Sequence, residues 1–211
     1  MESLILLAPA LPLFSALATH MLSARWGRRV VRVSVAGAVL TFVLTALLLV
    51  LTMVGEGSHQ IQLMAQWGIL LADPLSGLMG LLISGISLIV HVYSCRYMAE
   101  EPGYVRFFVL LDLMTAALLV MVAAGDLVTL LVAWHLIGVL LYFLLGQDTH
   151  SPSAYRYAFW TFFTYRIGDL SLLLAAVVLV DAYGSWSLAQ LFDRIAANPN
   201  AVGVLGLAAT E

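Results

Sequence analysis

Two apolar stretches decide the fold, and their ionisable residues all lie in residues 127–169, LVTLLVAWHLIGVLLYFLLGQDTHSPSAYRYAFWTFFTYRIGD. The first, 127–145, carries Trp134 and His135, and the second, 158–180, carries Arg166 and Asp169. Each is long enough to cross about 30 Å of hydrocarbon as a helix. A charge at that depth costs roughly 2.5–3.5 kcal/mol on insertion scales, so it usually marks an ion pathway or a buried pair.

The composition extends this membrane class to the whole chain. Of its 211 residues, 63% are hydrophobic and only 10% are charged, and the mean hydropathy is +1.02; a soluble domain has about 25% charged residues. We predict an all-α polytopic membrane protein with about six full transmembrane helices, at 4–22, 33–54, 74–93, 107–124, 127–145 and 158–180. The predicted organisation is an N-terminal helix pair (1–54), an extracytoplasmic connection (55–73), helices three to six (74–181), an amphipathic connection (182–200) and the start of a seventh helix (201–211).

The arginines predict the orientation of the chain. Alternate connections, beginning with the one after the first span, carry Arg25, Arg28, Arg29, Arg32, Arg96, Arg106 and Arg156. The opposite side carries Arg194 alone. Because basic residues are concentrated on the cytoplasmic side of membrane proteins, we expect the first set in the cytoplasm and the N-terminus outside. Arg166 is different, since it lies inside a span.

The ionisable residues inside the spans favour a proton relay. Arg166 and Asp169 are three residues apart on one helix face, where each can partly neutralise the other. Asp169 is about eleven residues into its span, and His135 is about eight residues into the preceding antiparallel one, so both are expected near the midplane. Histidine titrates close to neutral pH and suits a proton carrier. Asp112, nearer the cytoplasmic end of the fourth span, is a candidate for connecting the site to the cytoplasm.

Structural explanations stay open for each of these residues. Arg166 and Asp169 can form a purely structural ion pair, and His135 can be a packing histidine whose hydrogen bonds are satisfied. Asp112 can reach the interface with its solvated end. The remaining histidines fall at or near span ends and are expected at the interface: His20, His59, His91 and His150.

Other functional classes find little support in the sequence. The single cysteine, Cys95, excludes an internal disulfide and offers no metal cluster. The net charge of −3 gives no indication of nucleic-acid binding. The sequence contains neither a phosphate-binding glycine loop nor a metal-ligand cluster. We therefore expect a transporter subunit in membrane lipid, with no cofactor and no covalent chemistry of its own.

An ordered series of short motifs covers roughly residues 60–195: DPLS (73–76), VY (92–93), RYM (96–98), GYVRFF (103–108), Trp134 with Gly138, YFLLG (142–146), RIGD (166–169), SWSL (185–188) and LF (191–192). This series resembles the large antiporter-like subunits of respiratory complex I and of multisubunit sodium/proton antiporters. The resemblance implies about fourteen helices in two inverted five-helix repeats. This chain would supply the first six helices and part of a seventh, and another polypeptide could supply the rest.

Two positions depart from the family pattern. His135 stands where the family has a glutamate directly after the tryptophan, and Tyr165 stands where an asparagine is usual. A complex I pumping subunit would be expected to keep that glutamate. The membrane subunit of the two-component DAB inorganic-carbon accumulation system, which is similar to these antiporter subunits, fits a rewired site better. That resemblance implies that His135 replaces the glutamate as the central protonatable group.

The same resemblance implies a function and partners. A cation, most simply H⁺, would flow through this multi-pass subunit of a bacterial inner membrane. The flow would energise a large soluble zinc-containing partner, similar to carbonic anhydrase, that traps carbon dioxide as bicarbonate. Two alternatives stay open. One is a proton-translocating subunit of NADH-quinone oxidoreductase or of a sodium/proton antiporter, and the other is a non-transporting structural or assembly subunit.

Overall fold

Helices dominate the architecture, as predicted. The computed structural model describes residues 2–55, 59–63, 68–101, 103–147, 152–199 and 201. Its long helices are α1 (Glu2–Trp26), α2 (Val31–Val54), α3 (Pro74–Tyr97), α4 (Tyr104–Val122), α5 (Leu127–Leu145) and α6 (Pro152–Tyr183), followed by the short α7 (Leu188–Ala197). A 3-10 turn, Gly27–Val30, separates α1 from α2. All but α7 belong to stretches that are long and apolar enough to span a membrane, which confirms the polytopic class.

Several helices are longer than their apolar runs. Helix α3 continues to Tyr97 rather than ending at residue 93, and α4 begins at Tyr104 rather than at 107. Helix α6 has 32 residues, about 48 Å at 1.5 Å per residue, so it exceeds the hydrocarbon thickness. Arg156 consequently lies in the first turns of α6 and not in a connection. The predicted start of a seventh helix at 201–211 lies, apart from Ala201, outside the described residues.

A small β-hairpin, which the all-α prediction missed, lies in the connection between α2 and α3. Strands β1 (His59–Gln62) and β2 (Ile69–Ala72) pair antiparallel, with His59 opposite Ala72. The hairpin is joined to the α4–α5 turn, where the amide of Gly125 donates to the carbonyl of Ile69 at 2.8 Å. The Asp126 carboxylate accepts from the Ile69 amide at 2.7 Å and from the Thr129 amide at 2.8 Å. Asp126 therefore both caps α5 and fixes the hairpin.

The helices form a bundle that is open on the α6 side. Helix α1 packs against α2 and α4, α2 against α3, α4 against α5, and α5 against α6. Helix α6 leaves much of its apolar surface uncovered; Ile167 and Leu170, for example, are exposed. On α7, Leu188, Leu191 and Ile195 pack inward whereas Phe192 and Asp193 are exposed, so the predicted amphipathic helix is present. The ionisable residues of α5 and α6 thus lie on the last helix pair of the described bundle.

Candidate functional site

Three polar side chains from α5 and α6 meet around the carboxyl group of Asp169. Arg166 Nη2 lies 2.8 Å from Asp169 Oδ2, and the indole Nε1 of Trp134 donates to Asp169 Oδ1 at 2.8 Å. His135 Nε2 lies 3.8 Å from Asp169 Oδ2. The Asp169 side chain is only 6% exposed, whereas those of His135 and Arg166 are 30% and 26% exposed. The structure therefore brings together three of the four predicted site residues.

The antiparallel packing of α5 on α6 produces this cluster. The three-residue spacing places Arg166 and Asp169 on one face of α6, and α5 presents Trp134 and Gly138, four residues apart, to that face. A Cβ atom at Gly138 would overlap Arg166 Nη2. Glycine at this position therefore makes room for the guanidinium group. The guanidinium carbon of Arg166 also lies 4.9 Å from the centre of the Phe162 ring, a cation–π arrangement that holds the side chain from its other side.

The hydrogen bonds of His135 indicate which of its nitrogens is available. Its Nδ1 lies 2.8 Å from the carbonyl oxygen of Leu131, one turn earlier on α5. A carbonyl can only accept, so Nδ1 carries a hydrogen and the neutral ring keeps its lone pair on Nε2. That nitrogen faces Asp169. His135 is thus placed to take up a proton at Nε2 and to exchange it with the carboxylate after a movement of about 1 Å into hydrogen-bond distance.

The charges of the cluster balance while His135 is neutral. The Arg166 guanidinium and the Asp169 carboxylate offset each other, and a proton on His135 adds one positive charge beside the carboxylate. A cavity of about 220 Å³ adjoins the cluster; Trp134, Gly138, Tyr165, Arg166 and Asp169 line its polar part, and residues of α4 and α5 line the rest. An apolar cavity with a few convergent polar groups is the usual form of a binding or transfer site.

Asp112 lies in a different cluster. It is 1% exposed, and its Oδ1 is 3.1 Å from Nε2 of His91, which is fully buried. The expectation that Asp112 reaches the interface is therefore wrong, and so is the expectation that His91 is interfacial. Both errors have one cause. Because α3 ends later and α4 begins earlier than predicted, both residues lie deeper inside their helices than the apolar runs indicated.

Sequence reasoning also missed two direct partners of the predicted residues. Trp134 was recognised only as part of a motif, yet its indole N–H bonds Asp169. Ser15 on α1 donates from Oγ to Asp112 Oδ2 at 3.0 Å, and a single serine in an apolar run gives no sequence signal. Among the other histidines, His20 is exposed and His59 lies on β1, whereas His150 is outside the described residues. Within the described ranges, no group of three or more His, Cys, Asp and Glu side chains could hold a metal ion.

Two family models match the chain. Residues 61–108 match the N-terminal domain of chain 5 of NADH-ubiquinone oxidoreductase (complex I), and residues 124–209 match the transmembrane domain shared by NADH:quinone oxidoreductase and the Mrp antiporter. The first match includes α3 and the second includes α5, α6 and α7, and therefore the entire Asp169 cluster; most of α4 lies between the two matches.

Individual proteins show the same relationship. The chain is 58% identical over 204 residues to the probable inorganic carbon transporter subunit DabB1 of Halothiobacillus neapolitanus, a match that covers 95% of this chain and 36% of that protein. It is 39% identical over 122 residues to the chloroplast NAD(P)H-quinone oxidoreductase subunit 5 of Anthoceros angustus, covering 58% of this chain and 17% of the relative. It superposes on a chain of the archaeal membrane-bound sulfane sulfur reductase with a TM-score of 0.82 at 20% identity, covering 93% of this chain and 40% of the other. The chain thus spans about a third or less of these curated relatives.

Proposed function

The chain belongs to the antiporter-like family of membrane subunits shared by complex I and the Mrp antiporters, and we propose that it conducts protons in an inorganic-carbon uptake system. The 58% identity to a carbon transporter subunit, against 39% to a quinone oxidoreductase subunit, supports the choice of system. The observation that carries proton conduction is the placement of His135 Nε2, 3.8 Å from the buried Asp169 carboxylate.

In this proposal a proton binds Nε2 of His135 and makes the ring cationic. Rotation of the side chain closes the gap to Asp169 and lets the proton pass to the carboxylate. Arg166 and Trp134 keep the carboxylate oriented and stabilise its charge when the proton leaves. Asp112 acts as a further proton-binding group on α4, outside this contact cluster.

The partners follow from the same proposal. A second polypeptide, or a continuation of this one, supplies the remaining helices of the antiporter-like fold. A large soluble zinc-containing subunit binds at the membrane surface and converts carbon dioxide to bicarbonate, so the zinc chemistry lies in that partner and not in this chain. The complex is located in a bacterial inner membrane, with the N-terminus of this chain outside.

The test is growth that depends on carbon uptake. The chain is expressed with its co-purifying subunits in a bacterial host that lacks carbonic anhydrase, and growth in air and proton flux into membrane vesicles are measured. We expect His135→Ala and Asp169→Asn each to abolish growth in air and to reduce flux at least tenfold, because each removes a group that carries the proton. His20→Ala is the matched control, since His20 is an exposed histidine on α1; this variant should behave as the wild type.

Two other outcomes would redirect the proposal. Normal growth and flux in both variants would show that the Asp169 cluster is a structural ion pair in a non-transporting subunit. Co-purification with quinone- and flavin-binding subunits, and not with a zinc protein, would assign the chain to a redox-driven pump, the class indicated by the 39% identity to a quinone oxidoreductase subunit.

A further inference from the structure

A second buried polar cluster lies between α1, α3 and α4. Its centre is the contact of 3.1 Å between His91 Nε2 and Asp112 Oδ1, two side chains that are 0% and 1% exposed. Ser15 of α1 donates from Oγ to the other carboxylate oxygen, Oδ2, at 3.0 Å. His91 Nδ1 lies 2.7 Å from the carbonyl oxygen of Ser87. A buried carboxyl group needs hydrogen bonds or an opposite charge to offset the loss of water, and Ser15 and His91 provide these contacts for Asp112.

The hydrogen atoms of the cluster can be assigned from the donors and acceptors. Thr115 donates its hydroxyl hydrogen to the carbonyl of Leu111 at 2.9 Å, so in the 2.6 Å contact between Ser87 and Thr115 the hydrogen comes from Ser87. The Ser87 hydroxyl therefore has no hydrogen left for His91. Nδ1 of His91 faces a carbonyl oxygen, which only accepts, and so Nδ1 carries its own hydrogen.

This assignment leaves one proton to be placed between His91 and Asp112. With Nδ1 protonated, a neutral His91 has only a lone pair on Nε2, and an ionised Asp112 has only lone pairs on Oδ1. Two acceptors do not approach to 3.1 Å without a hydrogen between them. With Nδ1 protonated, the 3.1 Å contact between Nε2 and Oδ1 therefore has a place for one further hydrogen, on the ring or on the carboxyl group. With that proton the pair is neutral overall, and without it the pair carries one buried negative charge.

A line of hydroxyl groups leads from this pair toward the arginine-rich end of the bundle. Thr19 follows Ser15 by one turn on α1, toward Arg25. The close approach of Gly37 to Ser15 sets the register of α2 against α1, which places Ser34 at about the level of Thr19. Thr19 and Ser34 are both completely buried, and neither Thr19 Oγ1 nor Ser34 Oγ has a hydrogen-bond partner among the described residues. A buried hydroxyl without a partner costs about 1–3 kcal/mol and calls for an explanation.

We propose that His91 and Asp112 form a second proton-binding site, separate from the Asp169 cluster, which exchanges its proton with the arginine-rich side along Ser15, Thr19 and Ser34. The proton comes from water on that side and binds in the Nε2–Oδ1 contact, and on release it returns by the same hydroxyl groups. Thr19 and Ser34 supply hydrogen-bonding positions for the passing proton or its water carrier. The inference depends neither on carbon uptake nor on conduction through His135.

Few other titratable groups lie next to the pair among the described residues. The ring of Phe108 packs against His91, and α1 contributes the neutral Ser15. Along α3 the next titratable groups are the exposed Tyr93 phenol and the Cys95 thiol, and along α4 they are the exposed Arg106 and the Tyr104 phenol; the Tyr104 phenol donates to the Cys95 carbonyl at 3.2 Å. Arg28 lies over the face of the Tyr104 ring.

The experiment is solid-state NMR of the full chain in lipid bilayers, with isotope-labelled histidine and aspartate, from pH 5 to pH 9. His91→Gln assigns the His91 signals by their loss. In the wild type we expect Nδ1 of His91 to stay protonated throughout, while the pair loses one proton as the pH rises. Asp112→Asn keeps the shape of the side chain but donates from its amide to Nε2, so His91 should stay neutral over the whole range. Asp169→Asn should leave the His91 titration unchanged. Circular dichroism of each variant verifies the helical fold.

The route is tested by the rate of exchange. The combined variant Thr19→Val and Ser34→Ala removes both hydroxyl groups with little change of volume, and we expect proton exchange at His91 after a pH jump to slow at least tenfold while the titration midpoint stays the same. An unchanged rate would overturn the route. A pair that keeps one protonation state from pH 5 to pH 9, or a His91 titration unaltered by Asp112→Asn, would overturn the site. A changed His91 titration in Asp169→Asn would show that the two clusters are one.

Discussion

Gly138→Ala tests the Asp169 cluster without changing a charge. The added methyl group would overlap Arg166 Nη2, the nitrogen that lies 2.8 Å from Asp169 Oδ2. The guanidinium group has to move, because the alternative is a displacement of the α5 backbone. We expect the arginine to withdraw from the carboxylate and proton flux to fall, although every ionisable residue of the site is still present.

The size of the effect follows from the distances. Restoring an ordinary van der Waals contact of about 3.5 Å requires a shift of about 1 Å. A lengthening of the ion pair from 2.8 Å to about 3.8 Å weakens its Coulomb energy by about 1.5 kcal/mol at an effective dielectric constant of about 20. This is roughly a factor of ten in an equilibrium constant. If release of the proton from Asp169 limits the flux, the flux should fall by up to about tenfold.

Glycine 168 supplies the matched control on the neighbouring helix. A Cβ atom at Gly168 meets nothing within 4 Å, so Gly168→Ala adds the same methyl group without a clash. Proton flux is measured in membrane vesicles with a pH-sensitive dye under an imposed membrane potential, with each variant scaled to the amount of protein. Gly138→Ala should also cause no further loss of proton flux in an Arg166→Gln background, because the guanidinium group that the new methyl displaces is then absent.

Equal flux in Gly138→Ala and Gly168→Ala would refute the reasoning. It would mean that the position of the Arg166 guanidinium relative to Asp169 does not affect proton transfer. Arg166 would then be a structural residue.

Two further predictions concern the hydrogen bonds of Asp169 in the site and of Asp126 at the α4–α5 turn. Trp134→Phe removes the 2.8 Å hydrogen bond to Asp169 but keeps an aromatic ring, and we expect about a tenfold loss of proton flux, since a hydrogen bond to a charged group contributes about 1.5–3 kcal/mol. Trp160→Phe, at an exposed position of α6, should leave the flux unchanged. Equal losses in the two variants would contradict a role for the Trp134 hydrogen bond in proton transfer. Asp126→Ala leaves the amides of Ile69 and Thr129 without their acceptor, so we expect a loss on the order of 2–4 kcal/mol in the free energy of unfolding in detergent, whereas the exposed Asp193→Ala on α7 should be neutral.

The sequence was sufficient for the helices because membrane-spanning segments are specified mainly by composition. Helix α5 has the predicted bounds, since Asp126 caps its start and Gly146 follows its end. The ends of α3 and α6 were not predictable from apolar runs, because a helix continues into the interface where polar residues are tolerated. The β-hairpin was missed because four residues in each strand, HQIQ and ILLA, give too short a pattern for an alternation to be recognised.

The contacts within one helix were predictable, and those between helices were only partly so. A spacing of three residues was enough to pair Arg166 with Asp169, and equal depth brought His135 to them. Depth does not determine how far a helix is rotated about its own axis. For that reason, nothing in the sequence indicated that Trp134 bonds Asp169 or that His91 faces Asp112.

The histidine at position 135 changes the charge that the Asp169 cluster carries through a proton cycle. With Arg166 and Asp169 paired, a neutral His135 leaves the cluster uncharged, and protonation makes it positive by one. A glutamate at the same position, as the resemblance to complex I subunits implies for that family, would start one unit more negative and become neutral when protonated. Because a charge buried in the membrane is costly, the two versions are stable in opposite protonation states. An approaching cation disfavours protonation of either version; in the histidine cluster the proton-free state is the uncharged one, and in the glutamate version it is the negative one. The exchange of a single residue on the same family fold thus reverses which protonation state of the cluster is uncharged.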